Sequence, residues 1–170
     1  MPTSQKPTVR ERYQYRCGYC GVSEAHAGGE LTVDHFQPRV VGGGEDDDNL
    51  VYACIKCNQY KGEFWPTEAD LEMRRRVLHP LLEDLSQHII ENEQTAHLQA
   101  LTNTGAFHIA LLRLNRPQLI DHRLIRRIEI ILREKVRLLE KQNIELQKTI
   151  EAQTRYIQML EAQLDDLRRA

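Results

Sequence analysis

Four cysteines stand in two pairs, Cys17-x-x-Cys20 and Cys54-x-x-Cys57, with none left over. A C-x-x-C turn points two thiolates at one spot, so two such turns complete a tetrahedral Zn²⁺ site. Two disulfides would need an oxidising compartment, and a thioredoxin-like redox site would need one pair within a βαβ pattern. The expectation is zinc held by Cys17, Cys20, Cys54 and Cys57. With four protein ligands no position stays open for water, which makes the site structural and a source of folding free energy. Between the pairs lie Asp34 and His35, then Asn49, and just beyond the last cysteine Asn58. A neutral imidazole can take a proton from water near pH 7. A hard divalent cation such as Mg²⁺ is held by oxygen ligands.

These residues need elements to hold them. Glu30 to Phe36 reads as a short strand from alternation and β-branching, and Leu50 to Ala53 as a second. Gly42-Gly43-Gly44 followed by Glu45-Asp46-Asp47-Asp48-Asn49 is a loop. Ile55 to about Gly62 reads as a helix stopped by Gly62. Adjacent side chains on a regular strand face opposite ways, so a bend near Pro38 or the strand end must bring Asp34 and His35 to one place.

The run Val33-Asp34-His35-Phe36-x-Pro38, Gly42-Gly43-Gly44, Asn49-Leu50, Cys54-x-x-Cys57-Asn58-x-x-Lys61-Gly62 resembles the HNH endonuclease family over about residues 10 to 65. The resemblance implies a ββα-metal unit clamped by the zinc site and metal-dependent hydrolysis of DNA phosphodiester bonds. It implies His35 as general base, Asp34 and Asn58 as ligands of a catalytic Mg²⁺ or Mn²⁺, and Asn49 as the residue that orders the loop and helps fix the histidine. Asn58 departs from the commoner histidine; the HNH domain of RNA-guided nucleases shares that Asn and remains active. Lys61 and Arg39 are the expected substrate-phosphate contacts, with Arg10, Arg12, Arg16 and Lys56 as a surrounding rim. Arg113-Leu114-Asn115-Arg116-Pro117 resembles, more weakly, the tail of bacterial HNH proteins.

The remaining chain divides into a small α+β extension, 66–116, and a long helix, 117–170. Thr67 to Asp70 starts a helix, residues 89–93 and 96–101 form a hairpin, and 105–114 reads as a largely buried helix. Asn115 is the expected N-cap of the long helix, with Pro117 in its first turn. From Pro117 onward there is no glycine and no further proline. A heptad register with Leu132, Leu139, Leu146, Gln153, Leu160 and Leu167 at d places Val136, Asn143, Ile150, Ile157 and Leu164 at a. Nine of these eleven seam positions are apolar, which predicts a coiled coil from about residue 129. The fold class is therefore α+β: an HNH unit over 8–65, the extension, and a coiled-coil helix. Arg74 to Arg76 and Arg123, Arg126 and Arg127 are charge runs of the kind that form solvated faces.

Composition bounds the rest. The 170 residues are 41% hydrophobic and 28% charged, too apolar for a disordered chain. No apolar run is long enough for a membrane span, and the opening residues lack the core of a secretory signal, so the expected setting is a bacterial-type cytoplasm without a membrane partner. A net charge of −2 argues against DNA held by bulk positive charge alone, so tight binding is expected to need dimerisation or a partner. The expected partners are DNA and a second copy, as a parallel homodimer through 129–170. Two alternatives stay open: a zinc-stabilised nucleic-acid-binding or interaction module, and a nuclease subunit recruited by its coiled coil to a larger partner such as an anti-phage ATPase.

Overall fold

The computed structural model describes residues 6–169. Residues 1–5, on which the expectation of no secretory signal mostly rests, lie outside the described residues. The chain forms two compact units that divide after Leu124. No helix among the described residues is long and apolar enough to cross a membrane.

The first unit opens with α1 (Lys6–Arg12), whose Val9 is fully buried. Gln14 and Tyr15 take positive φ to turn the chain into the first cysteine pair. Gly21, at φ 74, closes that knuckle by donating its N–H to the Cys17 carbonyl at 2.8 Å. A four-residue helix, α2 (Glu24–Ala27), follows, capped by Ser23. Neither helix is legible in a segment so rich in turn residues. Both are held by long-range ion pairs: Arg10 reaches Glu24 at 2.6 Å and Glu30 at 3.4 Å. Arg12 pairs with Asp47 at 2.6 Å. Arg10 and Arg12, expected on a phosphate rim, are thus spent inside the unit.

The strands fall where alternation and branching place them. β1 (Thr32–His35) pairs antiparallel with β2 (Leu50–Ala53), in the register Val33↔Tyr52, Asp34↔Val51, His35↔Leu50. All four β2 residues are buried, as their apolar run requires. α3 (Ile55–Lys61) starts at Cys54, whose sulfur accepts from the Cys57 N–H at 3.4 Å, and it ends at Gly62, φ 52.

The extension shares this core. α4 (Glu68–Glu72) carries the capping box of Thr67 and Asp70, and β3 (Ile89–Glu91) pairs with β4 (Leu98–Ala100) as the predicted hairpin. α5 (Asn103–Leu111) runs past it, with only Thr104, Gly105 and His108 buried, so it is less enclosed than its apolar composition suggests. Val77, Leu112, Leu114 and Leu119 join Val9, Tyr52 and Cys57 in one cluster. Trp65 is half-buried against Phe36, ring centroids 6.0 Å apart.

α6 (Pro117–Arg169) begins where proline allows, but Asn115 does not cap it. Its amide instead accepts from the Leu98 N–H at 2.7 Å and donates to the Leu98 carbonyl at 2.9 Å, extending the hairpin edge. Arg123 is likewise no solvated charge. It is buried and donates to the carbonyls of Ala96, at 2.6 Å, and Leu114, at 3.0 Å.

The second unit, from Ile125, consists of the remainder of α6. Not one of its described residues is buried; Ile131, Leu139, Leu146, Ile150 and Ile157 are all exposed.

Candidate active site and zinc centre

The sulfurs of Cys17, Cys20, Cys54 and Cys57 lie within 4.8 Å of one another, and those of Cys20 and Cys54 are 3.8 Å apart. A tetrahedron with Zn–S bonds of about 2.3 Å has edges of about 3.8 Å, so the donor set and spacing fit Zn²⁺. The cysteines are free thiols rather than disulfides. A zinc tetrathiolate carries a net negative charge, and a cation is at hand. The Arg116 Nη2 is 3.8 Å from the Cys54 sulfur and 3.7 Å from that of Cys57. Arg116 and Arg113 both sit over the Tyr60 ring, at 5.6 and 4.7 Å from its centroid. N–H groups donated to metal-bound thiolates from outside the ligand set orient and stabilise them. The tail motif thereby has a physical task at the second knuckle.

Asp34 and His35 occupy the last two positions of β1, and the strand stays regular through both. Asp34 points inward and is buried; the His35 side chain is 11% exposed. Both still line one cleft of about 230 Å³, together with Pro38, Arg39, Asn58, Gly62 and Glu63. The strand end, not a bend, brings them there.

Three groups converge on the interior side. The Tyr19 hydroxyl donates to Asp34 Oδ2 at 2.6 Å. The Lys61 ammonium lies 3.3 Å from Oδ1 and 3.2 Å from Oδ2, and donates to the His35 carbonyl at 2.7 Å. Burial pushes the Asp34 carboxyl up, with Lys61 and Tyr19 opposing it. Burial also pushes the Lys61 ammonium down, with Asp34 opposing it. Lys61, expected to touch substrate phosphate, is therefore almost wholly enclosed, because a carboxylate this deep requires a counter-charge. Tyr19 sits inside the first knuckle, and Lys61 ends the helix that the second knuckle begins. The cysteine cluster thus holds both partners of Asp34.

A divalent cation fits this set in chemistry. The Asp34 carboxylate and the Asn58 amide line the same cleft, and a cation there would share Asp34 with the Lys61 ammonium. One carboxylate and one amide match the way Mg²⁺ is held, with waters and phosphate oxygens completing the shell.

On the outer side, His35 Nε2 is 3.0 Å from Glu45 Oε1 and 3.1 Å from Arg39 Nε. Arg39 also pairs with Glu45 and is half-exposed at the mouth of the cleft. The hydrogen bond with His35 holds the Glu45 carboxyl below the usual carboxylate range, with Arg39 adding to it and burial opposing. Asn49 does not reach the imidazole. It accepts from the Gln37 N–H at 2.6 Å and donates to the carbonyls of Gln37, at 3.1 Å, and Gly44, at 2.8 Å. Tyr19, Glu45 and Arg116 are the site residues that spacing does not single out. Tyr19 and Glu45 carry only weak sequence signals, a tyrosine inside C-x-x-C and the first charge after three glycines, whereas Arg116 stands in the tail motif without a role read for it there.

This order of residues has a counterpart. Residues 17–64 match the family model described as HNH endonuclease. The segment is similar to an HNH domain. No curated protein and no solved structure gives a significant match to the chain. That similarity supports a nuclease or nucleic-acid-related function, and the cysteine cluster supports zinc binding.

Proposed function

We propose that the protein is a metal-dependent endonuclease that hydrolyses DNA phosphodiester bonds at its HNH site. The observation that carries this reading is the convergence of Asp34, His35 and Asn58 on one cleft, with Arg39 at its mouth. Hydrolysis requires a proton acceptor for the attacking water and charge stabilisation on the phosphate. His35 takes the proton from water. Asp34, kept from solvent and hydrogen-bonded by Tyr19 and Lys61, holds a fixed negative charge for the cation site that it forms with Asn58. A Mg²⁺ or Mn²⁺ ion there would neutralise phosphate charge and the departing 3′ oxygen. Arg39 has a planar guanidinium suited to a phosphate, and Asn49 holds the loop beside it.

The exposed seam of α6 supports a parallel homodimer through residues 129–170, carrying two HNH domains. β-branched residues at a with leucine at d favour two parallel strands, and Lys135 at g meets Glu140 at the following e of a second copy. Dimerisation also offsets the weak pull of a net-acidic chain on DNA.

The test is supercoiled plasmid with purified protein and Mg²⁺ or Mn²⁺. Wild type is expected to nick or linearise it, and His35→Ala to lose about 10²- to 10⁴-fold in rate with zinc content unchanged. Equal cutting by His35→Ala would end the mechanism, and DNA binding without cutting by wild type would favour the binding-module reading.

A further inference from the structure

A histidine serves as base through one nitrogen only, and the other must carry its proton toward a fixed acceptor. For His35 that acceptor is already in place. Glu45 Oε1 lies 3.0 Å from Nε2, while no hydrogen bond reaches Nδ1 among the described residues. The loop that brings Glu45 here is tightly determined. A Cβ on Gly43 would stand 1.8 Å from the Gln37 carbonyl oxygen, so only glycine permits this closeness. The Asn49 amide then ties Gln37, just past the end of β1, to Gly44, which precedes Glu45. Strand end and loop are thus stapled together with Glu45 opposite the imidazole.

Arg39 makes a competing approach, its Nε 3.1 Å from the same nitrogen. Nε2 cannot both donate to Glu45 and accept from Arg39. A carboxylate facing an imidazole lone pair would be repelled by it, so the proton belongs on Nε2. Arg39 keeps its bond to Glu45 through Nη2. The other charges near the ring are Asp34, next in the chain, and Lys61, on the His35 carbonyl.

We propose that Glu45 is the positioning residue for His35, accepting a hydrogen bond from Nε2–H and leaving the Nδ1 lone pair to face the attacking water. The proposal rests on the nuclease reading. When water gives its proton to Nδ1, the imidazolium keeps Nε2–H on Glu45, and the bond becomes charge-assisted.

Two measurements on the full chain test it. In histidine labelled with ¹⁵N, wild type is expected to show His35 as a single Nε2–H form with a slowly exchanging ring proton. Glu45→Ala is expected to lose that proton signal and relax toward the tautomer mixture of free histidine, and Glu45→Gln, which can still accept, to keep it. In plasmid nicking, Glu45→Ala is expected to lower kcat about ten- to a hundredfold with KM unchanged, and Glu45→Gln to fall between. Zinc content and circular dichroism confirm that each variant is folded. Unchanged tautomer and kcat in Glu45→Ala would overturn the proposal, as would faster cutting, which would make Glu45 a cover over the base. If wild type and His35→Ala both fail to cut, the nuclease reading falls, while the ring-proton signal still decides whether Glu45 holds His35.

Discussion

Between Cys17 and Gly62 the protein buries an aspartate, a lysine and a tyrosine hydroxyl against one another, whereas from Ile125 to Arg169 it leaves isoleucines and leucines exposed. In the first stretch polar groups are costly to enclose, and each is retained because another satisfies it. In the second, a helix of apolar heptads has nothing of its own to cover them. Internal charge pairs and a cysteine cluster fit for zinc hold the first region together, while the apolar residues of the helix stay exposed. A helix that is stable for reasons of packing must find its partner face somewhere.

The sharpest way to break this comparison is to remove zinc. Structural zinc contributes about 10–16 kcal/mol of apparent binding energy in small domains, comparable to or above a domain's whole stability of about 5–15 kcal/mol. Cys54→Ser, or chelation of the wild-type protein, is expected to abolish amide-exchange protection in β1, β2 and α3. Amides of residues 130–165 should exchange as before. Metal analysis of the native chain should give about one zinc per chain by ligand count. A zinc-free protein with its strands still protected would show that the first unit does not depend on the metal.

A smaller effect separates buried from exposed charge. Lys61→Met strands the Asp34 carboxylate in the interior, and breaking such a pair costs about 3–5 kcal/mol. Lys148→Met removes an ion pair to Glu145 at 3.0 Å whose side chains are both 65% exposed, and such pairs contribute less than about 1 kcal/mol. Urea midpoints of the two variants should differ accordingly, and adding Asp34→Leu to Lys61→Met should recover part of the loss. Equal midpoints for the single variants would erase the distinction between the two regions.

The elements around the cysteine pairs were legible because their signals are local. Alternation and branching marked β1, a short apolar run marked β2, Gly62 marked the end of α3, and cysteine spacing marked the cluster. Asp34, His35 and Asn58 could be named because their order with those cysteines resembles the HNH motif, and they do line one cleft. What sequence spacing could not reveal depends on distant partners. Lys61 reads as a surface cation until Asp34 is seen to lie 27 positions away in sequence and within reach in space. Asn115 reads as a cap until the edge of β4 claims its amide, and Arg123 as a solvated charge until the carbonyls of Ala96 and Leu114 enclose it. Glu45 and Tyr19 carry no spacing signal, since tertiary structure alone brings each to its partner.

Acid offers a further test within the first unit. His108 is buried and accepts from the Leu78 N–H at 3.0 Å, and burial pushes its imidazole down to about 4. Its folded pKa lies below the unfolded value of about 6.5, so on acidification the unfolded chain takes the proton first. The stability contribution is complete above about pH 6.5 and is lost as pH falls toward 4, amounting to about 3 kcal/mol at most. His108→Gln keeps an acceptor for Leu78 without titrating. The difference in urea midpoint between wild type and this variant should therefore shrink, then reverse, from pH 7.5 to 4.5. A difference constant with pH would remove His108 from the acid response.

The smallest expected effect probes the helix and decides what covers it. Asn143 is the only polar a position between Val136 and Leu164, and across a two-fold axis its amide can bond to its own copy. That pairing costs stability relative to an apolar residue but fixes register and disfavours three strands. Asn143→Ile is expected to gain on the order of 1 kcal/mol, or about 2–4 °C in Tm, while spreading the oligomer distribution beyond dimer in light scattering. The wild-type chain should run as a dimer, and a chain ending at Arg127 as a monomer. A full-length monomer, or a dimer that survives truncation, would take the coiled coil out of assembly. A sharper dimer in Asn143→Ile would mean that Asn143 does not lie on the seam. A lower Tm would mean that its amide meets a partner of different sequence, and the helix would then be half of a heteromeric coiled coil.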